Sequence, residues 1–299
     1  MKFDELKTKN QNLQSEIIKF SDNPKKVAEL QRQTFINKVA MYDLILAEDK
    51  TRAGQTARDL IKEVKAMPTL PRFGTGIAAL DNAFNGGFET ALFIQLAGES
   101  GVGKTKLMLE IITNIAQGNK STFFNFEMGK KLLSQRLQKA RLSEIQLDNL
   151  WIDSETRKLE DLVMEIELLV KDGCKFFVID SKMKIEVSGN EPTHEKISKI
   201  SNTLAKLTQQ RDIVIMLINQ INEEDIKNKR LTMKGSGDQK YDSDIALFYV
   251  KDDKGNRKLI CTKNRMDEVE FKIDLRLNSL GQTVGSHEPV ITEFPIEII

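Results

Sequence analysis

Through the first seventy residues, apolar positions recur at steps of three and four, and Gly54 is the sole glycine. That combination predicts helix throughout. Phe3, Leu6, Leu13, Ile17 and Phe20, with Asn10 in the one polar slot, form a short heptad-like seam on a first helix. A second helix is predicted from Asn23-Pro24, where Asn can cap and Pro suits the first turn, with Phe35, Val39, Tyr42 and Leu46 on one stripe. A third, over Thr51 to Ala66, places Ala57, Leu60, Ile61 and Val64 on one face, and Met67-Pro68-Thr69-Leu70-Pro71 ends it.

Beyond that point the period changes. Runs of four to eight β-branched and aromatic residues alternate with amphipathic stretches. Strands are predicted over Ala91 to Ala97, Ser121 to Glu127, Leu150 to Asp153, Lys175 to Asp180, Ile213 to Asn219, Ile245 to Val250, Lys258 to Thr262 and Val269 to Leu277. Helices are predicted over Lys104 to Gln117, Lys130 to Lys139, Thr156 to Lys171 and Glu191 to Gln210. Helix-separated strands imply a parallel core, and the short turns between the last strands, such as Asp252-Asp253-Lys254-Gly255, imply an antiparallel edge. The fold class expected is α/β, a mainly parallel sheet behind a small all-helical amino-terminal segment. The expected division is a helical segment 1–67, a sheet domain 68–284 and an extended tail 285–299.

Composition narrows this modestly. With 45 Lys+Arg against 44 Asp+Glu, a net charge of +1 gives no global case for nucleic acid, so any phosphate-binding surface has to be local. Cys174 and Cys261 are far apart and lack a CxxC or nearby His, which argues against structural zinc or a disulfide framework. No apolar run approaches the roughly 20 residues that span a bilayer, and the first residues lack a signal-peptide core. A cytoplasmic protein without a membrane partner is the expectation.

Chemistry concentrates in a few places. Gly98-Glu99-Ser100-Gly101-Val102-Gly103-Lys104-Thr105 satisfies G-x-x-x-x-G-K-[ST], after an apolar strand and before a helix. Backbone N–H groups there can curl round phosphate oxygens, Lys104 can reach the β and γ phosphates, and the Thr105 hydroxyl can face Mg²⁺. Asp180 closes a buried strand, the position for a carboxylate that holds Mg²⁺. Glu127 closes a run expected beside the P-loop strand and could orient and deprotonate the attacking water. Gln220 follows another buried strand, where an amide can bond both a γ-phosphate and a loop. Lys263 and Arg265, at a late strand end, suit a finger acting on a neighbour's phosphate. The basic segment Ile226 to Lys240 carries Lys229, Arg230 and Lys234 beside Gly235-Ser236-Gly237, a composition that can follow a phosphate backbone without reading bases.

In this order, the motifs between Pro71 and Asn278 resemble the RecA-like motor domain of DnaB-type hexameric replicative helicases, and more distantly the RadA and KaiC branch. The resemblance rests on Thr75-Gly76-Ile77 through Gly86-Gly87-Phe88, the P-loop, Phe126-Glu127-Met128 with Arg136-Leu137, Asn149 to Asp153, Asn219-Gln220, Gly235 to Phe248, and Lys263-Asn264-Arg265. It implies an ATP-hydrolysing, Mg²⁺-dependent ring, a hexamer moving on single-stranded DNA, with Glu127 as base, Gln220 as switch and Lys263 and Arg265 acting in trans. A loader or primase is the further class of partner it implies. The chain departs from the pattern at Ile221-Asn222-Glu223, at Ser181-Lys182-Met183 and at Met266. The rival readings are a RadA-like ATPase that binds DNA without unwinding it and a KaiC-like nucleotide-driven switch.

Overall fold

The structure is a computed structural model and describes residues 3–21, 23–48, 56–66, 72–190, 192–221, 231–233, 243–252, 254–266, 270–279, 281–286 and 290–292. Two compact units result, Met1–Thr69 with Leu162–Asp172, and Leu70–Asp161 with Gly173–Ile299.

In the first unit, α1 (Phe3–Lys19) and α2 (Pro24–Glu48) form a hairpin, and α3 (Ala57–Ala66) follows. The Asn23 side chain accepts from the Lys26 amide and caps α2, as its position before Pro24 predicted. Leu6, Asn10, Leu30, Asn37, Met41 and Ile45 are buried. Segment Leu162–Asp172 joins them through ion pairs of Lys7 with Asp172 and Lys38 with Glu165, and Lys171 lies over the Phe3 ring. Phe35 and Val39 of the α2 stripe are exposed, at 53% and 37%, and the buried positions of the helix are Leu30, Asn37, Met41 and Ile45. Those positions repeat as regularly as the stripe chosen from the sequence. A helix with apolar residues round most of its circumference does not declare its buried side. The Leu46 side chain and Thr51 to Gln55 lie outside the described residues, and no residue of α3 is buried.

The second unit runs α4 (Ala78–Ala83), β1 (Leu92–Gly98), α5 (Lys104–Ile115), β2 (Ser121–Asn125), α6 (Lys130–Ala140), α7 (Glu144–Asn149) and β3 (Leu150–Asp153). After α8 (Leu159–Lys171), most of which clusters with the first unit, come β4 (Phe176–Asp180), α9 (Thr193–Arg211), β5 (Val214–Gln220), β6 (Ile245–Lys251), β7 (Arg257–Asn264), β8 (Glu270–Leu277), β9 (Thr283–Gly285) and β10 (Val290–Thr292). Among the described residues the strands form one sheet in the order β10-β8-β7-β6-β1-β5-β4-β2-β3, with β9 also on β8. From β6 to β3 every pairing is parallel, and from β7 outward every pairing is antiparallel. β1 and β4 are buried at every position, which is why they read as continuous apolar runs; β8 alternates, as an outer strand with one wet face does.

This order corrects one expectation. β2 does not lie beside β1, because β5 and β4 stand between them. Hydrophobic runs specify that strands exist and are buried, whereas their lateral order follows from which crossover returns into which gap. Thr283–Gly285, at the junction with the tail, and Val290–Thr292 within it both pair with β8. Lys229, Arg230, Lys234, Gly235, Ser236 and Gly237 lie outside the described residues. No helix among the described residues is long and apolar enough to cross a membrane.

Candidate active site

The loop from Gly98 to Thr105 connects the carboxyl end of β1 to the amino end of α5. Gly101 and Gly103 have φ of +75° and +108°, in the left-handed region where a side chain is strained. A Cβ on Gly98 would stand 2.5 Å from the Tyr249 carbonyl oxygen. Gly98 therefore lets the backbone of β6 pass close against the start of the loop. Lys104 Nζ donates to the carbonyls of Gly98 and Glu99 at 2.7 and 2.8 Å. Burial lowers the Lys104 pKa, against the opposing pull of Asp180, Glu127 and Glu99.

Strand β4 brings the second half of the site. Asp180 is 1% exposed at its carboxyl end, and the Thr105 hydroxyl donates to its Oδ2 at 2.6 Å. Burial pushes the Asp180 carboxyl up to about 6; neighbouring Glu127 pushes the same way, and Thr105, Lys104 and Arg136 oppose. A hydroxyl and a carboxylate at this separation are hard oxygen donors suited to Mg²⁺, so the residues present fit the metal.

Glu127 lies beyond β2 rather than at its end. The strand stops at Asn125, whose amide donates to the Met128 carbonyl at 2.6 Å and whose oxygen accepts from the Met128 amide at 3.1 Å. An Asn side chain that bonds backbone this way builds a turn in place of a ladder, a signal present in the sequence but weaker than the aromatic run before it. The preceding Phe126 is anchored by its amide on the Asp180 carbonyl at 2.7 Å and by Arg157, which lies 5.8 Å from its ring. The Ser181 hydroxyl donates to Glu127 Oε1 at 2.5 Å. Gln220 ends β5 directly opposite Gly98, and its backbone N–H donates to Asn219 Oδ1 at 2.8 Å. Glu127 and Gln220, with Phe126, Met183 and Lys184, line an open cavity of about 400 Å³. Lys104, Thr105, Glu127, Asp180 and Gln220, collected from four separate segments, thus converge at one end of the sheet.

Lys263 and Arg265 do not join them. β6 runs parallel to β1 toward the P-loop, and β7 runs back, so Arg257 pairs with Lys251 at the P-loop end and Asn264 with Ile245 at the other. The length of β6 separates the two ends, about 20 Å for seven residues. At the far end Arg265 Nη1 donates to Asp244 Oδ1 at 3.0 Å, and Asp244 Oδ2 accepts from the Phe93 amide at 2.9 Å. The Arg265 side chain is 55% exposed. Sequence reasoning missed Arg257, whose Nε donates to the Val102 carbonyl at 3.2 Å and braces the P-loop from a strand 155 positions later. Only the order of β1, β6 and β7 reveals it. It also missed the contact of Ser181 with Glu127.

Residues 73–150 match the family model described as DnaB-like helicase C terminal domain. The DNA repair protein RadA of Escherichia coli is 26% identical over 162 residues, 53% of this chain and 34% of that protein. The chain thus spans about a third of the length of that curated relative. A solved ATPase domain superposes with a TM-score of 0.64 at 20% identity, over 79% of this chain and 100% of its own. A DnaB-like replicative helicase, solved in a study of its interactions with primase, superposes with a TM-score of 0.63 at 18% identity, over 95% of this chain and 76% of its own. The fold of the larger unit is that of RecA-like ATPases, and its residues 73–150 are those that match the DnaB-like helicase C terminal domain.

Proposed function

We propose that this chain is a Mg²⁺-dependent ATPase that assembles as a hexameric ring and moves along single-stranded DNA as a helicase. The observation that carries the reading is the 2.6 Å bond between Thr105 and Asp180, which joins the P-loop helix to the strand-end carboxylate with Lys104 and Glu127 beside it. In this reading the P-loop amides and Lys104 bind the β and γ phosphates of ATP. Thr105 and Asp180 would hold the metal, which would supply charge neutralisation on those phosphates. Glu127 orients a water in the cavity it shares with Gln220 and takes its proton. Gln220, opposite Gly98 at the end of β5, would sense the γ-phosphate through its side-chain amide.

The distance between Arg265 and its own P-loop supports action on a neighbouring copy, since a guanidinium some 20 Å away serves only a site brought to it. For DNA the support is local. Ile221 and Met233 pair as a buried antiparallel bridge directly after Gln220, so Met233, inside the basic segment 226–240, lies beside the proposed switch. Hydrolysis measured with and without single-stranded DNA, followed by strand displacement on a forked duplex, tests the reading. DNA-stimulated hydrolysis with displacement supports a helicase. Stimulation without displacement favours a DNA-bound ATPase that does not unwind, the second reading, to which the similarity to RadA points. Hydrolysis indifferent to DNA removes both.

A further inference from the structure

We propose that Ser181 is a positioning residue for hydrolysis, holding one oxygen of Glu127 so that the other faces the attacking water; the inference rests on the reading of Glu127 as the base. Glu127 is exposed and carries three rotatable bonds, so nothing in its own covalent structure fixes the carboxylate. Ser181 is 2% exposed, and its hydroxyl has one hydrogen to give, which goes to Glu127 Oε1 at 2.5 Å. One oxygen is thereby occupied, and Oε2 is left to accept from water in the adjoining cavity.

The donor is itself held on both sides. Before it, Asp180 is tied to Thr105 by its side chain and to the Phe126 amide by its carbonyl. After it, a 3-10 turn over Lys182–Lys184 closes with the Lys184 amide on the Ser181 carbonyl at 2.9 Å. Lys182, 1% exposed, anchors that turn by donating from Nζ to the Ser201 hydroxyl on α9 at 2.6 Å. A buried side chain bonded in this way is held in place, so the turn carries Ser181 as a fixed post. The metal-holding carboxylate and the water-orienting carboxylate are thereby registered to each other through adjacent residues of one strand end, and no step requires Ser181 to exchange a proton.

The experiment is a double-substitution cycle on the full chain, with Ser181→Ala, Glu127→Gln and the pair, reading kcat and KM for ATP with Mg²⁺ together with binding of a fluorescent nucleotide. Ser181→Ala removes only a hydroxyl, and unchanged nucleotide binding certifies that it folds. Misplacing a base by about an ångström costs on the order of a hundredfold, so kcat of Ser181→Ala should fall roughly ten- to a hundredfold with KM unchanged. In the Glu127→Gln background the same substitution should change kcat less than about twofold, because its effect travels through Glu127. A kcat at the wild-type level in Ser181→Ala, or an equal drop in both backgrounds, overturns the proposal and leaves the base assignment standing. A wild-type kcat in Glu127→Gln overturns the base assignment and the proposal with it.

Discussion

The two ends of the parallel strands treat charge differently. At the carboxyl end, Lys104, Asp180 and Glu127 are drawn together from separate segments, and burial lowers the Lys104 pKa and raises that of Asp180. At the amino end, Arg265 is half in solvent and bonded to an Asp244 that is itself tied to the backbone of β1. In the first arrangement Lys104 and Asp180 sit close together where burial disfavours the charged form of each. The second is a half-exposed cation whose ion-pair partner is held by the backbone of β1. The strands therefore hold the Lys104 cluster and Arg265 at opposite ends of the sheet.

The contrast can be broken at several points. Lys104→Ala should abolish hydrolysis and most nucleotide affinity, since a point charge on the β and γ phosphates is lost. Turnover and binding of a fluorescent nucleotide measure both. Arg265→Ala should lower turnover on the order of 10³-fold while nucleotide binding persists, and mixing it with Glu127→Gln subunits should restore part of the activity through interfaces with an intact site and an intact finger. No recovery in rings shown to be mixed would place Arg265 outside the reaction. Glu127→Gln alone should reduce turnover by roughly 10² or more with nucleotide still bound, which single-turnover kinetics reads directly.

A gentler probe uses pH. The folded pKa of Asp180, about 6, exceeds its ordinary value of 3.8, so the folded chain holds an extra proton between those values. Its contribution to the stability of the metal-free protein is therefore greatest below about pH 4 and declines as pH rises through 6, by at most about 3 kcal/mol. Asp180→Asn should remove that decline, and comparing urea midpoints of the two proteins at pH 4.5 and 7.5 tests it. The smallest effect concerns the helical unit, where Lys38→Ala removes the half-buried pair with Glu165 and should cost about 1 kcal/mol in the same titration.

The sequence by itself determined whatever depends on contiguous residues. Gly98 to Thr105 is read as a phosphate loop because its glycines, lysine and threonine act within one turn of chain, between a strand and a helix that are also local patterns. Runs such as Phe176–Asp180 are strands in the structure because burial on both faces demands unbroken β-branched and aromatic residues. The tertiary structure decided what depends on order and facing. It put β4 and β5 between β1 and β2, turned Phe35 and Val39 outward on α2, and laid Arg257 against the P-loop. It also joined Ser181 to Glu127 across 54 positions, from two strand ends that pairing alone makes neighbours. Periodicity records how much of a segment is buried. Which partner buries it is a pairwise property of distant segments, and no single stretch of chain carries it.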